Sequence, residues 1–199
     1  MPISVLDAVP ALVLVDLQKG IVAVPGSPLP TATVLANAAA LAAAFREHGL
    51  PVVLVNVTGG APGRTEAHSA AVAAAAGATA APRPADWAEL ADELAAHPGD
   101  VRITKRTWGA FHGTVLHDEL AGRGVTQVVL GGVTTSIGVE TTARSAYEHG
   151  YHVVLATDAM TDRDETMHTH AVERVFPRLG ETGTTADVLA LLAQRQRQG

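Results

Sequence analysis

The sequence predicts an α/β fold built on a mainly parallel sheet. Three observations point there. Short runs of branched aliphatic residues recur along the chain, and their apolar stretches are nearly continuous instead of alternating, the pattern of strands buried on both faces. Segments with helical apolar periodicity lie between those runs, and strands alternating with helices imply right-handed crossovers. The chain has 199 residues, enough for one full core, and no linker composition interrupts it, so a single domain over 1–199 is expected.

In chain order, the first strand is read in "ALVLVD" (11–16). The helix "TATVLANAAALAAAFREHG" follows, with Val34, Leu35, Leu41 and Phe45 on a broad apolar face, and it stops at Gly49 with Pro51 just beyond. "PVVLVNV" (51–57) gives the second strand. Residues 59–86, rich in Gly, Pro and Ala, read as a long loop with some Ala-rich helical turn, and long loops in compact domains are often functional. "DVRITK" (100–105) is a weaker strand, and "GTVLHDELAGRG" a helix carrying Val115, Leu116 and Leu120. "TQVVLGG" (126–132) is a strand that runs into a Gly-rich turn and the helix "IGVETTARSAYEHG". After the strand "HVVLATD" (152–158), "ETMHTHAVERVFPRLG" and "TTADVLALLAQRQ" close the chain as helices, with Thr185 the expected cap of the last.

Composition excludes several classes of function. A net charge of −6 argues against nucleic-acid or anionic-membrane partners, which call for clustered Lys and Arg. With no cysteine there is no disulfide, no Cys-ligated metal and no thiolate catalysis. The N-terminal stretch lacks the basic start and cleavage site of a signal peptide, and no apolar run approaches the ~20 residues of a membrane span; a cytoplasmic location is expected. His168 and His170 stand two apart and do not share a helix face, so no metal site is expected and no cofactor is implied.

Ligands of open parallel sheets bind beyond the carboxyl ends of the strands, so the residues ending each strand are the candidate site. The first strand ends on Asp16, followed by Leu17 and Gln18; the second on Asn56; the third on Lys105. The fourth runs into Val133, Thr134, Thr135 and Ser136, and the fifth ends on Asp158. Asp16 is the sharpest of these, a carboxylate placed directly after five apolar residues; it is either a tuned acid or a strand-end cap. For Asp158 the capping reading is favoured. Lys105 is placed to reach a carboxylate on a neighbouring strand end. Trp108 and Phe111 follow it closely in a chain with few aromatics, as pocket-lining residues or, for Phe111, as a staple on the next helix. "GGVTTSIG" lacks the spacing of a phosphate loop, but a helix starting near Ile137 offers free N–H groups to a small anion or an oxyanion.

Four separated segments, "LVLVDLQKG", "ITKRTWGAFHGTVL", "GGVTTSIGVETTARSAYEHGYHVVLATDAMTD" and "FPRLGETGTTADVL", resemble the isochorismatase-like hydrolases, also called the cysteine hydrolase superfamily, in the right order over nearly the whole chain. The resemblance implies a Rossmann-like three-layer α/β/α fold and a homo-oligomer, a dimer or tetramer. Most members hydrolyse amides with an Asp, a Lys and a Cys. Carried over, the Asp is Asp16, the Lys is Lys105, and the Cys position is Gly138. The family's non-prolyl cis peptide falls at Val133–Thr134, beside N–H groups that form an oxyanion hole in the Cys members. The Asp-x-His zinc motif of nicotinamidases is missing after the second strand, where the chain reads "VNVTGG".

Isochorismatases similarly lack the nucleophile. The resemblance implies their chemistry, in which the Asp protonates a vinyl ether, water adds to the oxocarbenium ion, and the Lys orients the Asp. This sequence departs from them at Thr134–Ser136, where they carry Tyr-Ala-His, and at Val57–Gly59, where they carry Gln-Pro-Gly, so the substrate does not transfer with the mechanism. Arg64 is a further candidate for a substrate carboxylate. Three readings follow: a hydrolase of a small anionic substrate without a covalent intermediate, a silent small-ligand-binding pseudoenzyme, and, last, an amidase using Ser136 or Thr134 as nucleophile.

Overall fold

The computed structural model describes residues 1–59, 65–66, 83–94 and 97–196. The five aliphatic runs form β1 (Pro10–Val15), β2 (Val52–Val57), β3 (Val101–Lys105), β4 (Gln127–Val133) and β5 (His152–Thr161). A sixth strand, β6 (Glu181–Gly183), lies at the far edge. The order is β3-β2-β1-β4-β5-β6 and every pairing is parallel, so the sheet is wholly parallel where a mainly parallel one was expected.

Alternate residues of β1 serve opposite faces. Ala11, Val13 and Val15 join one core cluster, Leu12 and Leu14 the other. The first face is covered by α3 (Leu116–Gly122) and α4 (Glu140–Glu148), through Leu116, Leu120, Ala143 and Ala146. The second is covered by α2 (Thr31–Glu47), through Val34, Leu41 and Phe45, and by α6 (Thr185–Gln196), through Val188 and Leu192. This is a three-layer α/β/α architecture. Two short helices, α1 (Lys19–Val22) and α5 (Glu165–His170), flank the carboxyl end of the sheet. Beyond α2, Gly49 takes φ +65°, the left-handed conformation that ends a helix.

Three sequence expectations are corrected. β5 continues three residues past Asp158, because its pairing with β4 shifts from Leu130↔Leu155 to Gly132↔Met160 across an irregularity. The cap of α6 is Thr184, not Thr185: Thr184 N donates to Asp187 Oδ2 (2.8 Å) and Asp187 N donates to Thr184 Oγ1 (3.2 Å), a reciprocal box. Thr185 instead donates through N and Oγ1 to Asp158 Oδ1, at 2.6 and 2.8 Å, so Asp158 serves the same helix start in its capping role. The third concerns "ETMHTHAVERVFPRLG", which is not one helix. α5 passes into a π-helical segment, Ala171–Val175, and a 3-10 turn, Phe176–Arg178, where Pro177 interrupts the helical bonding. Most of the loop expected over 59–86, and Arg64 with it, lies outside the described residues.

The strand order reverses at β1, between β2 and β4, and the crevice beyond the strand ends opens there. β4 comes unusually close to β1 at this point. Gly132 has φ +132°, and a Cβ on it would stand 2.1 Å from the Val15 carbonyl oxygen, so only glycine fits.

Candidate active site

Asp16 follows β1 directly and breaks the strand, with φ +56°, a left-handed backbone that is strained for a residue with a side chain. Its N–H still donates to Val55 O (2.9 Å), which anchors the bend to β2. The bend delivers the carboxylate to the strand-end crevice, where Oδ2 meets Lys105 Nζ at 2.7 Å. Lys105 ends β3, two strands away, and its four-carbon stem spans the end of β2. The ammonium also donates to Thr107 O (3.1 Å) and Trp108 O (2.7 Å), so all three of its N–H groups have acceptors.

Both members of the pair are buried, Asp16 at 5% and Lys105 at 2% exposure. Asp16 Oδ1 is buried and has no hydrogen-bond partner. Burial pushes the Asp16 carboxyl up to about 6, against the downward pull of the Lys105 charge and hydrogen bond. The result is one committed oxygen, one free oxygen, and a proton affinity close to neutral pH.

The pair lies at a cavity of about 270 Å³. Gly138, Val133 and Thr134 form one wall, and the Val133–Thr134 peptide is cis. Val57, Gly59 and Thr107 form another, while Trp108 and Ile137, 64% and 39% exposed, stand at the opening. Gly138 sits in the π-helical turn Thr135–Val139. A Cβ added there would lie 3.1 Å from Val15 Cγ1 and 3.2 Å from Asp16 Oδ2. Gly138 therefore leaves no roomy gap at the Cys position, because Val15 and the Asp16 carboxylate close it.

Of the sequence-derived candidates, Asp16, Lys105, Gly138, Trp108, Val133 and Thr134 come together at this cavity. Five others do not. Gln18 is fully buried and tied to backbone, donating to Val57 O (3.2 Å) and Trp87 O (3.1 Å) and accepting from Val57 N (2.8 Å); it holds a cavity residue from behind. Asn56 points to the other face of the sheet, because strand neighbours alternate. There it donates to Ala88 O (3.0 Å), accepts from Thr104 Oγ1 (2.8 Å), and lines a separate hollow of about 450 Å³. Phe111 is a core residue whose ring lies 5.0 Å from His149 and 6.0 Å from Tyr151. Thr135 is fully buried with Oγ1 2.8 Å from His168 Nδ1. Ser136 engages through its N–H, which donates to Asp162 Oδ2 (2.7 Å); the nearby imidazole is bonded to Thr135 instead.

Residues the sequence reading missed stand just past its boundary for the fifth strand. Asp162, 3% exposed, grips the turn through Ser136 N and accepts from Arg163 N at 2.7 Å. Arg163 lines the cavity, and its guanidinium donates to the carbonyls of Ile21, Val24 and Pro25, fixing the α1 segment that brings Ile21 to the same cavity. His168 is held below its ordinary pKa by burial, opposed by the Asp162 and Glu165 carboxylates, and so stays neutral behind the turn. The visible signal was a second Asp followed by Arg, "TDAMTDR". Among the described residues no group of three or more His, Asp and Glu is placed to hold a metal.

The isochorismatase domain family matches residues 10–187. The chain is 40% identical over 181 residues to an uncharacterized isochorismatase family protein, YwoC, of Bacillus subtilis, covering 90% of this chain and 92% of that protein. It is 38% identical over 182 residues to the corresponding YecD of Escherichia coli O157:H7, with 92% and 95% covered. The solved structure of an isochorismatase family protein from Burkholderia thailandensis superposes with a TM-score of 0.84 at 39% identity, over 95% of this chain and 98% of that one. A family match spanning most of the chain, on a fold that superposes this well, leaves one assignment: the chain belongs to the isochorismatase family and is a hydrolase.

Proposed function

We propose that the enzyme hydrolyses a small anionic substrate of the vinyl-ether type, with Asp16 as general acid, Lys105 as its orienting cation, and water as the only nucleophile. The observation that carries this reading is the free, buried Oδ1 of Asp16, on a carboxyl whose pKa is raised to about 6, in a chain with no cysteine. Protonated Asp16 donates its proton to the terminal carbon of the enol ether, and the C=C electrons form the new C–H bond. Water adds to the resulting oxocarbenium carbon and returns a proton to the Asp16 carboxylate. The hemiketal then collapses to a ketone and an alcohol. No step forms a bond to the protein.

Lys105 holds Oδ2, leaves Oδ1 to work, and balances the carboxylate that forms after proton transfer. Because its three N–H groups already have acceptors, it does not serve as the substrate's anion partner. Among the described residues Arg163 is the other cation lining the cavity, which supports an anionic substrate. Gly138, at the position where the resemblance puts the Cys of amide-hydrolysing members, lets the turn approach the Asp16 carboxylate closely.

The test is pyruvate release from enol-pyruvyl ethers, isochorismate among them, by wild type and Asp16→Asn, with folding checked by circular dichroism. Release that falls by about 10²–10⁴-fold in the folded variant is expected. Undiminished release would remove Asp16 from the mechanism. Release from none of the ethers would remove the vinyl-ether class and leave a silent ligand-binding protein as the reading to pursue.

A further inference from the structure

On the far side of α4 from the sheet's central strands, a hollow of about 300 Å³ is lined by Arg144, His170, Arg174 and Arg178 above an apolar floor of Val175 and Leu179. We infer that this hollow is a second, anion-binding site, built for a phosphate group and separate from the Asp16 cavity. No residue of one lines the other.

The argument rests on charge and on partners. The chain carries a net charge of −6, yet three arginines and a histidine line this one hollow and, among the described residues, no Asp or Glu does. His170, Arg174 and Arg178 recur every four residues along the chain from α5 onward, and Arg144 reaches in from α4. Arg144 is neutralised by Glu140 through a 2.9 Å ion pair one helical turn away. Among the described residues Arg174 and Arg178 have no ion pair; Glu165 and Glu173 line an adjacent hollow that His170 and Arg174 also border, and Arg178 belongs to the first hollow alone. Guanidinium forks match the oxygens of phosphate bidentately. The volume admits inorganic phosphate or the phosphate end of a small metabolite.

The experiment titrates the full chain with inorganic phosphate at low ionic strength, followed by phosphorus NMR line width and by calorimetry, against a chloride control of equal ionic strength. Saturable binding is expected in wild type, weakened about tenfold or more in Arg174→Gln/Arg178→Gln, and unchanged in Asp16→Asn, which separates this site from the catalytic cavity. A phosphorylated small molecule binding more tightly than phosphate, with the same loss in the double variant, would assign the site to a metabolite; equal affinity would assign it to the free ion. No saturable binding, or binding that survives the double substitution, would overturn the proposal. The result does not depend on the reaction at Asp16.

Discussion

Three local facts single out Asp16 at the cavity: a left-handed backbone that ends β1, a Lys105 contact on one oxygen, and no partner on the other. Two predictions belong to this scale. If Asp16 works in its protonated form with a pKa near 6, kcat/KM is level below about pH 6 and falls tenfold per unit above it, and this limb disappears from the residual activity of Asp16→Asn. A base-type Asp16 would give the opposite slope. Gly138→Ala puts a methyl 3.1 Å from Val15 Cγ1 and 3.2 Å from Asp16 Oδ2, so the two side chains must give by a few tenths of an ångström. The expected result is a kcat lowered by about tenfold or more with a nearly unchanged melting temperature, since small misplacements of a reacting group cost rate steeply. Asp16, Lys105 and Gly138 were legible in the sequence, the first two because a charge at the end of an apolar run stands out and the third through family resemblance. Gln18 and Asn56 were not. Asn56 sits near the end of β2, where the pleat turns Val57 to the cavity and Asn56 away, and Gln18, beyond the end of β1, is tied to the backbone of Val57 and Trp87; no residue type announces either outcome.

Elements were legible to the extent that burial wrote them in aliphatic residues. Four of the five runs became strands buried on both faces along most of their length, while β3 buries Val101, Ile103 and Lys105 and exposes Arg102 and Thr104, which is why it read as the weaker run. β6 is three residues, Glu-Thr-Gly, none fully buried, and it forms by pairing with β5, which composition does not disclose. The irregularity in β5 likewise hid Asp162 and Arg163, since a regular strand ends where the apolar run ends. The start of α6 offers a test at this scale. Thr184→Ala removes one half of the reciprocal cap and should cost about 1 kcal/mol in urea unfolding at neutral pH. Thr185→Ala leaves the Thr184–Asp187 box intact, and Asp158 Oδ1 keeps the backbone N–H of residue 185, so a smaller loss is expected there. A larger loss at 185 would place the cap where the sequence alone put it.

Across the whole molecule, the raised pKa of Asp16 links its proton to folding. Between its ordinary 3.8 and about 6, the native chain binds more protons at this site than the unfolded chain does. The stabilisation from the protonated group is complete below 3.8 and is lost as pH rises through 6. The unfolding free energy of wild type minus that of Asp16→Asn is therefore expected to fall between about pH 4 and about pH 7. A difference that stays flat, or rises, would mean the carboxyl is not tuned upward in the native state. The strand order has a different bearing on how the enzyme fails. Asp16 directly follows a central strand, and Lys105 belongs to β3, which in the described sheet has a strand neighbour on one side only. The pair is thus a clasp between the middle of the molecule and its margin. If the pair works as proposed, fraying at that margin disarms the enzyme while most of its secondary structure is still in place, and turnover becomes a finer gauge of β3 than circular dichroism.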